Sequence, residues 1–229
     1  MLLSVRDLKK SFRDPEGGIL PVVEVPSFEV GEGEQVGLRG TSGSGKTTFL
    51  HLVAGILRPD GGTISIGGET VSSFSDARRD RHRAEHIGYV YQSFHLLPGY
   101  TALENVLLGM MFGPGPDKKR ATELLTDLGL EHRLHHRPRE LSIGQQQRVS
   151  LARALAHKPK LILADEPTGN LDPKHAGQAM EQIRSRCAEV GAALLLVSHD
   201  PQLLEGFDRV EEWTEVNRAF ASEGAECAD

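Results

Sequence analysis

The sequence predicts an α/β fold with a mainly parallel sheet, an antiparallel β subdomain and an inserted α-helical subdomain. Strand-like and helix-like segments alternate around a glycine-rich loop, "GTSGSGKTT", and such alternation is typical of a parallel sheet. Apolar and polar residues alternate over the first 30 residues, as in paired strands, and the turn-like "DPEGG" interrupts them. A middle stretch, about residues 75–155, is mostly polar with helical spacing. At 229 residues the chain is long enough for one core with a smaller lobe.

The elements follow in order along the chain. Before the glycine-rich loop "EQVGLRG" predicts a short strand, and after it "FLHLVAGIL" has apolar residues at helical spacing. The segment "RPDGGTISIGGETV" predicts a hairpin with Gly-Gly turns. We assign the inserted helical subdomain to about residues 95–155. Beyond it, "LILADEP" and "AALLLVSHD" predict buried strands on either side of a helix over residues 172–190. We expect one domain over residues 1–215 and a polar, disordered tail over residues 216–229.

Composition and charge narrow the possible functions. The net charge of −6 argues against nucleic acid as the main partner, because duplex binding usually leaves a basic footprint. No segment approaches the roughly 18 apolar residues of a membrane helix, and the N-terminus lacks the apolar core of a signal peptide. The two cysteines, Cys187 and Cys227, are expected to be unpaired thiols of a reducing compartment, so we expect a cytoplasmic protein. The cluster "HRLHHRP" has no carboxylate or cysteine at ligand spacing, so a solvated loop is favoured over a metal site.

The glycine-rich loop matches the phosphate-binding pattern G-x-x-x-x-G-K-[ST] between a predicted strand and a predicted helix. Its glycines allow successive backbone N–H groups to point at phosphate oxygens, and the helix N-terminus adds partial positive charge. The lysine would reach the β- and γ-phosphates, and the threonine after it would hold Mg²⁺. A flexible glycine-serine turn is the alternative, but the flanking strand and helix favour nucleotide binding. The predicted contacts are Gly40, Thr41, Ser42, Gly43, Ser44, Gly45, Lys46, Thr47 and Thr48.

An acidic pair, Asp165 and Glu166, ends the predicted strand "LILADEP". In an open parallel sheet, ligands bind at this carboxyl end of the strands. Asp165 would bind Mg²⁺ through water, and Glu166 would face the γ-phosphate and polarise the attacking water. An apolar strand followed by Asp-Glu is common in isolation. Its position downstream of a phosphate loop makes it specific.

The phosphate loop, "LSIGQQQR", "LILADEP", "GNLD" and "SHD" occur in the order found in the nucleotide-binding domains of ABC transporters, and the chain resembles that family. The resemblance covers about residues 1–210. It implies a P-loop NTPase core with ATP and Mg²⁺ as cofactors. It also implies a homodimer, formed on ATP binding, whose chains pack head to tail around two ATP molecules.

By this resemblance, Ser142, Ile143, Gly144 and Gln145 form the signature motif, which contacts the nucleotide bound by the partner chain. A serine and backbone N–H groups at a helix start suit an anion. The motif usually reads L-S-G-G-Q, and Ile143 replaces its first glycine at a position that often varies. The alternative is an ordinary capped helix start.

The resemblance implies roles for further residues. Gln92 would sense Mg²⁺ and the γ-phosphate, although the sequence alone is equally compatible with a surface glutamine. His199 would hydrogen-bond the γ-phosphate and orient the water with Glu166, and Asp172 would lie at the dimer seam. Phe12 would stack on adenine, with an ordinary strand or core phenylalanine as the alternative. The predicted Mg²⁺ site comprises Thr47, Gln92 and Asp165.

The segments "YQSFHLLPGYTALENV", "LSIGQQQR" and "DEPTGNLD" are similar to those of the ATPases serving lipoprotein-releasing, macrolide-efflux and cell-division complexes. This implies an ATP-hydrolysing subunit that drives a separate membrane permease for export, extraction or mechanotransmission. Such a subunit is cytoplasmic and peripheral on the inner face of the cell membrane. A minority of Leu96, Leu97, Met110 and Met111 are expected to be exposed toward the permease. The C-terminal "VEEWTEVNRAF" departs from the strand-turn-strand of relatives.

The alternative function is a soluble ABC ATPase that acts on ribosomes or nucleic acid. Such proteins usually carry two cassettes in one chain or a long coiled-coil insertion, and neither pattern occurs in this sequence. A regulatory module with dispensable hydrolysis is disfavoured because Lys46, Asp165, Glu166 and His199 are all present. We therefore favour the permease-coupled ATPase and expect no nucleic-acid partner.

Overall fold

The computed structural model describes residues 1–113 and 115–219. Its strands are β1 (Leu3–Arg13), β2 (Ile19–Val30), β3 (Gln35–Arg39), β4 (Gly61–Ile66), β5 (Glu69–Thr70), β6 (Ile87–Val90), β7 (Leu161–Asp165), β8 (Ala193–Ser198) and β9 (Arg209–Glu212). Its α-helices are α1 (Lys46–Val53), α2 (Asp76–His86), α3 (Ala102–Leu108), α4 (Lys118–Asp127), α5 (Ile143–Leu155), α6 (Pro173–Glu189) and α7 (Trp213–Val216). Short 3₁₀ helices cover Val71–Ser73, Glu131–Arg133, Pro138–Glu140 and Pro201–Leu204.

A parallel sheet with the strand order β6-β7-β8-β3-β9 forms the centre of the fold, as the alternating pattern predicts. Every residue of β7 and β8 is buried, because both faces of these central strands are covered. Their apolar runs, "LILA" and "ALLLV", cause this burial. Since β7, β8 and β3 are neighbours, their carboxyl ends bring the acidic pair, the "SHD" motif and the glycine-rich loop to one edge of the sheet.

An antiparallel sheet with the order β2-β1-β4-β5 forms the second subdomain. The first hairpin turns at "DPEGG", where Asp14 Oδ1 accepts hydrogen bonds from the backbone N–H groups of Glu16 and Gly18, both at 2.8 Å. The second turns at Gly67 and Gly68, whose φ angles of 58° and 85° suit a two-residue hairpin. Both predicted hairpins are confirmed, but only one of the two Gly-Gly pairs in the second is a turn, because Gly61 and Gly62 begin strand β4.

The helical subdomain consists of α3, α4 and α5, which pack around a common apolar core that includes Leu125 and Val149. Thr101 and Ser142 begin α3 and α5 with capping boxes, in which the side chain and backbone of the cap exchange hydrogen bonds with the third helical residue. None of the helices in residues 1–113 and 115–219 is both long and apolar enough to cross a bilayer.

One part of the middle stretch differs from its prediction. Within residues 75–155, which we predict as mostly helical, Ile87–Val90 forms the strand β6, buried at all four positions and parallel to β7. The four-residue segment "IGYV" is too short to show a helical or a strand period, so its place in the sheet follows from burial against β7.

The C-terminal boundary also differs. We predict a disordered tail from residue 216, but Val216 ends α7 and is buried, and Asn217 is held between two backbone groups of β2. The Asn217 side chain accepts a hydrogen bond from the Glu24 N–H at 2.7 Å and donates one to the Val22 carbonyl at 2.9 Å. The predicted boundary at residue 215 is therefore too early. Residues 220–229, with Cys227, lie outside the described residues.

Candidate nucleotide-binding site

The glycine-rich loop folds tightly before α1, and at two of its positions only glycine fits because there is no space for a side chain. Gly45 has a φ of 92°, and a Cβ there would lie 2.6 Å from the Val22 carbonyl oxygen. A Cβ on Gly40 would lie 2.9 Å from the Cβ of Trp213. Lys46, the first residue of α1, turns back across the loop, and its Nζ donates to the Gly40 carbonyl at 2.8 Å. The loop therefore forms a compact cradle around one amine.

A cavity of about 210 Å³ lies over this cradle. Its walls are residues 42, 43 and 45–48 of the loop, Val22, Gln92, Asp165 and Glu166. Gly40, Thr41 and Ser44 lie behind it, and Ser44 Oγ donates to the Thr41 carbonyl at 2.7 Å. The predicted loop residues thus divide into a lining set and a supporting set.

The Lys46 ammonium faces two carboxylates, those of Asp165 and Glu166, in the cavity. Burial lowers the pKa of Lys46, and the nearby carboxylates of Glu166 and Asp165 oppose that shift. Burial also raises the pKa of Asp165, while a hydrogen bond from Thr47 Oγ1 to Asp165 Oδ1, at 3.2 Å, opposes the increase. A hydroxyl and a carboxylate this close form an oxygen ligand set of the kind Mg²⁺ prefers, so the donor chemistry fits the predicted metal.

Glu166 and His199, which follow β7 and β8, come together as the family resemblance implies. His199 Nδ1 lies 2.9 Å from Glu166 Oε1, and the Glu166 N–H donates to the Val197 carbonyl at 3.1 Å. Glu166 has a φ of 44°, a left-handed conformation that is uncommon for residues other than glycine. This backbone conformation and the imidazole together orient the carboxylate at the cavity edge.

Gln92 lines the same cavity and lies between the core and the helical subdomain. Its carbonyl accepts a hydrogen bond from Asn170 Nδ2 at 2.7 Å. Just beyond it, Phe94 and His95 have left-handed φ angles of 56° and 46°. The Arg153 guanidinium of α5 donates to both of their carbonyls at 2.6 Å, so the loop after Gln92 is joined to the helix that begins at the signature motif.

The signature residues do not lie in this cavity. Ser142, Ile143 and Gly144 line a second, larger cavity of about 850 Å³ together with Asp172 and His175. The predicted seam residue Asp172 and the signature motif therefore share one face of the molecule. Asp172 Oδ2 lies 2.5 Å from His175 Nδ1, and this hydrogen bond holds the pKa of Asp172 below its ordinary value.

The start of α5 also has the features of an ordinary helix cap. Ser142 Oγ accepts a hydrogen bond from the Gln145 N–H at 3.3 Å, and the Gln145 side chain accepts one from the Ser142 N–H at 2.9 Å. Gln145 therefore shapes the turn without lining the larger cavity. Ile143 is 52% exposed, a large apolar side chain open to solvent at the cavity wall.

Phe12 is not brought to the phosphate cavity. It lies near the end of β1, paired with Leu20 of β2, and is 41% exposed. Lys10 Nζ lies 5.6 Å from its ring centroid. Adenine stacking by Phe12 stays a prediction.

Trp213 supports the phosphate loop, a role that none of the sequence motifs predicts. Its side chain is buried, Nε1 donates to the Ser44 carbonyl at 2.6 Å, and its ring centroid lies 5.1 Å from that of Phe49 in α1. One sequence feature could have indicated this role. Trp213 is the only tryptophan of the chain, and it lies in "VEEWTEVNRAF", the segment that departs from the family pattern.

Comparisons with known proteins agree with this geometry. Residues 23–169 match the family model described as ABC transporter. The chain is 43% identical over 226 residues to the lipoprotein-releasing system ATP-binding protein LolD of Hydrogenovibrio crunogenus, covering 97% of this chain and 98% of that protein. It is also 43% identical over 212 residues to LolD 2 of Caulobacter vibrioides, covering 91% and 92%.

Solved structures give the same assignment. The dimeric ATP-binding cassette MJ0796 in a post-hydrolysis state bound to ADP and Pi superposes with a TM-score of 0.83 at 35% identity, covering 92% of this chain and 94% of that one. A second dimeric structure of MJ0796, described as a bacterial ABC transporter cassette, has the same TM-score, identity and coverage. The chain belongs to the ABC transporter family, as one of its ATP-binding and ATP-hydrolysing cassettes.

Proposed function

We propose that two copies of this chain pair head to tail on binding ATP, with the phosphate cavity of each copy closed by the signature cavity of the other. One observation carries this proposal: the glycine-rich loop and the signature residues line separate cavities of the same chain. Each chain therefore carries two different half-sites, and two chains together could form two complete nucleotide sites. The dimeric state named for the MJ0796 cassette, at 35% identity, supports the same arrangement.

Within each composite site, Lys46 and the N–H groups of the glycine-rich loop bind the β- and γ-phosphates. Thr47 Oγ1, Gln92 and, through water, the Asp165 carboxylate would hold Mg²⁺. The bound Mg²⁺ would neutralise charge on the phosphate oxygens. Glu166 accepts a proton from the attacking water, and His199 orients both the Glu166 carboxylate and the γ-phosphate.

The partner chain completes the γ-phosphate site. The first turn of α5 carries backbone N–H groups that have no acceptor within the helix, and the partial positive charge of the helix start favours an anion. The Ser142 hydroxyl adds a further donor once it turns from its cap toward the phosphate. Asp172 lies beside this turn and joins the two sites across the seam.

We further propose that the dimer drives a separate membrane permease of the lipoprotein-releasing type. The 43% identity to LolD proteins over almost the whole chain supports this class of complex. Exposed apolar side chains of residues 97–112 offer contacts to a partner, and together we call them the lobe surface: Leu97, Tyr100, Met111 and Phe112, each more than two-fifths exposed. Met110 is 1% exposed and Leu96 partly buried, so they belong to the core of the lobe. The chain would therefore be cytoplasmic and peripheral on the inner face of the membrane.

Capture from the native cells tests this function. The full chain is tagged, membranes are solubilised gently with ATP present, and co-purifying proteins are identified. We expect a stoichiometric membrane protein with a large extracytoplasmic part, lost when Met111 and Phe112 are replaced by serine. Matched replacement of Ile19 and Val210, which are exposed outside the lobe surface, should leave capture intact. Recovery of ribosomes or nucleic acid without a permease would overturn the proposal.

A further inference from the structure

Three side chains of types that can ligate metal ions meet where β5 approaches α2. They are Glu69, His82 and His86, and one potential ligand atom from each lies within 4.8 Å of the other two. The imidazole centroids of His82 and His86 are 4.6 Å apart. None of the three residues lines the phosphate cavity or the signature cavity, so ATP chemistry does not account for their convergence.

Local structure explains why they converge. The segment "HRAEH" places the two histidines four residues apart on α2, where residues i and i+4 share one face. The Gly67-Gly68 turn brings Glu69 of β5 to that face. His82 is only 7% exposed, and its ring packs against Phe74 at 5.8 Å between centroids, so its position is set by packing.

We propose that Glu69, His82 and His86 form a binding site for a divalent transition-metal ion, for which Zn²⁺ is the best match, and that the ion ties the β4–β5 hairpin to α2. Two histidines and one glutamate are a ligand set that Zn²⁺ takes in proteins, with a fourth position left for water. Histidines at i and i+4 on one helix face are a common way to supply two of the ligands. Nitrogen ligands make Mg²⁺ and Ca²⁺ poor occupants.

The separation of the ligand atoms is compatible with closure on an ion. Ligand atoms around one tetrahedral Zn²⁺ lie about 3.4 Å apart, as follows from bond lengths near 2.1 Å. The present separations of up to 4.8 Å exceed this by a distance that side-chain rotation can cover. Glu69 is exposed and can move, whereas the buried His82 fixes the inner end of the site.

The surrounding charges both support and oppose the ion. Burial lowers the pKa of His82, with a further contribution from His86, so its imidazole is neutral and able to ligate at neutral pH. Arg78 donates to Glu69 Oε2 at 2.8 Å. It would not bind the metal itself but would orient the carboxylate that does. The Lys160 ammonium faces the same imidazole and opposes a cation. Removing the Lys160 charge should therefore strengthen metal binding, whereas removing a ligand should weaken it.

The test is metal binding by the full chain, purified free of metal and nucleotide. Zn²⁺ is titrated calorimetrically, and Co²⁺ replaces it for visible spectroscopy, because tetrahedral Co²⁺ absorbs far more strongly than the hydrated ion. We expect one Zn²⁺ per chain at this site. Glu69→Gln and His86→Gln should each weaken binding at least about tenfold and abolish the tetrahedral Co²⁺ bands. Both positions are outside the fully buried core, so folding is retained.

Two controls separate this site from nonspecific binding. His132→Gln combined with His135→Gln removes exposed imidazoles from the other histidine cluster and should leave the affinity and the Co²⁺ bands unchanged. Lys160→Gln should tighten Zn²⁺ binding about threefold or more, because a nearby positive charge is removed. Absence of Zn²⁺ binding, or affinity that depends on His132 and His135 but not on Glu69 and His86, would overturn the proposal.

Discussion

The phosphate loop and the signature turn are both starts of helices, yet they differ in how the chain supports them. The loop before α1 is backed by its own chain: Lys46 crosses it, and Trp213 donates to its carbonyl at Ser44. The signature turn before α5 is held by its local cap and by the Gln146 side chain, which donates to the Leu141 carbonyl at 3.1 Å. It opens on a wide cavity, with Ile143 exposed at the rim.

This difference indicates how the catalytic work is divided. A cradle supported from within one chain can hold a nucleotide before any partner arrives. A capped helix start with an exposed rim offers groups that only another molecule can use. Substitutions in the first region should therefore act on nucleotide binding or hydrolysis in each chain, and substitutions in the second on pairing between chains.

The largest effect is expected for Glu166→Gln, because it removes the proton acceptor but leaves the phosphate cradle intact. ATP hydrolysis should fall by a factor of about 10²–10⁴ while ATP affinity is retained, and the ATP-bound dimer should accumulate. Turnover and size-exclusion chromatography with ATP and Mg²⁺ measure both effects. Glu205→Gln, an exposed carboxylate change, serves as the control. A monomeric Glu166→Gln chain under these conditions would count against the sandwich dimer.

Lys46→Ala should weaken ATP binding by about a hundredfold or more, because a charged donor to two phosphates is lost. Calorimetric titration of the full chain measures the affinity, and the thermal shift on adding ATP should disappear at moderate concentrations. Lys119→Ala, which removes a lysine from the exposed face of α4, should bind as the unaltered chain does. Retained ATP affinity in Lys46→Ala would contradict the assigned role.

Ser142→Asp should retain the helix cap, because aspartate caps as well as serine, but should repel the γ-phosphate of the partner's nucleotide. We expect ATP-dependent dimerisation to weaken at least about tenfold, with little change in ATP binding by the single chain. The control is Thr101→Ala, which removes the cap of α3, costs about 1 kcal/mol of stability and should leave dimerisation unchanged. If Ser142→Asp lowers monomer affinity for ATP instead, the signature acts on its own nucleotide.

The smallest effect is expected for Trp213→Phe, which keeps an aromatic ring beside Phe49 but removes the donor to Ser44. Loss of one buried hydrogen bond should cost about 1 kcal/mol, and part of this should appear as severalfold weaker ATP binding. Denaturant unfolding and ATP titration measure the two parts. Unchanged values for both would show that the loop holds its shape without the tryptophan.

Much of the fold was predictable because its signals are local. The glycine-rich loop, the buried runs of β7 and β8, and the Gly-Gly turn each determine their own conformation. Strand β6 was missed because four residues carry no period, and its burial comes from β7, more than 70 residues away in sequence. The packing of α7 was missed for a similar reason, since Trp213 and Asn217 are positioned by partners near the other end of the chain.

The candidate site was likewise predictable in part, and its contacts between distant segments were not. The family resemblance implied that Asp165, Glu166 and His199 act together, and the structure brings them together because parallel neighbouring strands end at one edge. The resemblance did not reveal the bond from Trp213 to the loop or the link from Arg153 to the carbonyls beyond Gln92. These contacts depend on three-dimensional packing between distant segments.

The most direct test of the central claim uses a mixed dimer. One chain carries Ser142→Arg, the other carries Lys46→Ala, and both carry Glu166→Gln so that any ATP dimer accumulates. Each variant alone has two damaged composite sites, whereas the mixed dimer has one intact site, built from one chain's Lys46 and the other chain's Ser142. We predict ATP-dependent pairing, measured by energy transfer between labelled chains, in the mixture and not in either variant alone. Pairing in the mixture no greater than in the separate variants would contradict the division of the site between chains.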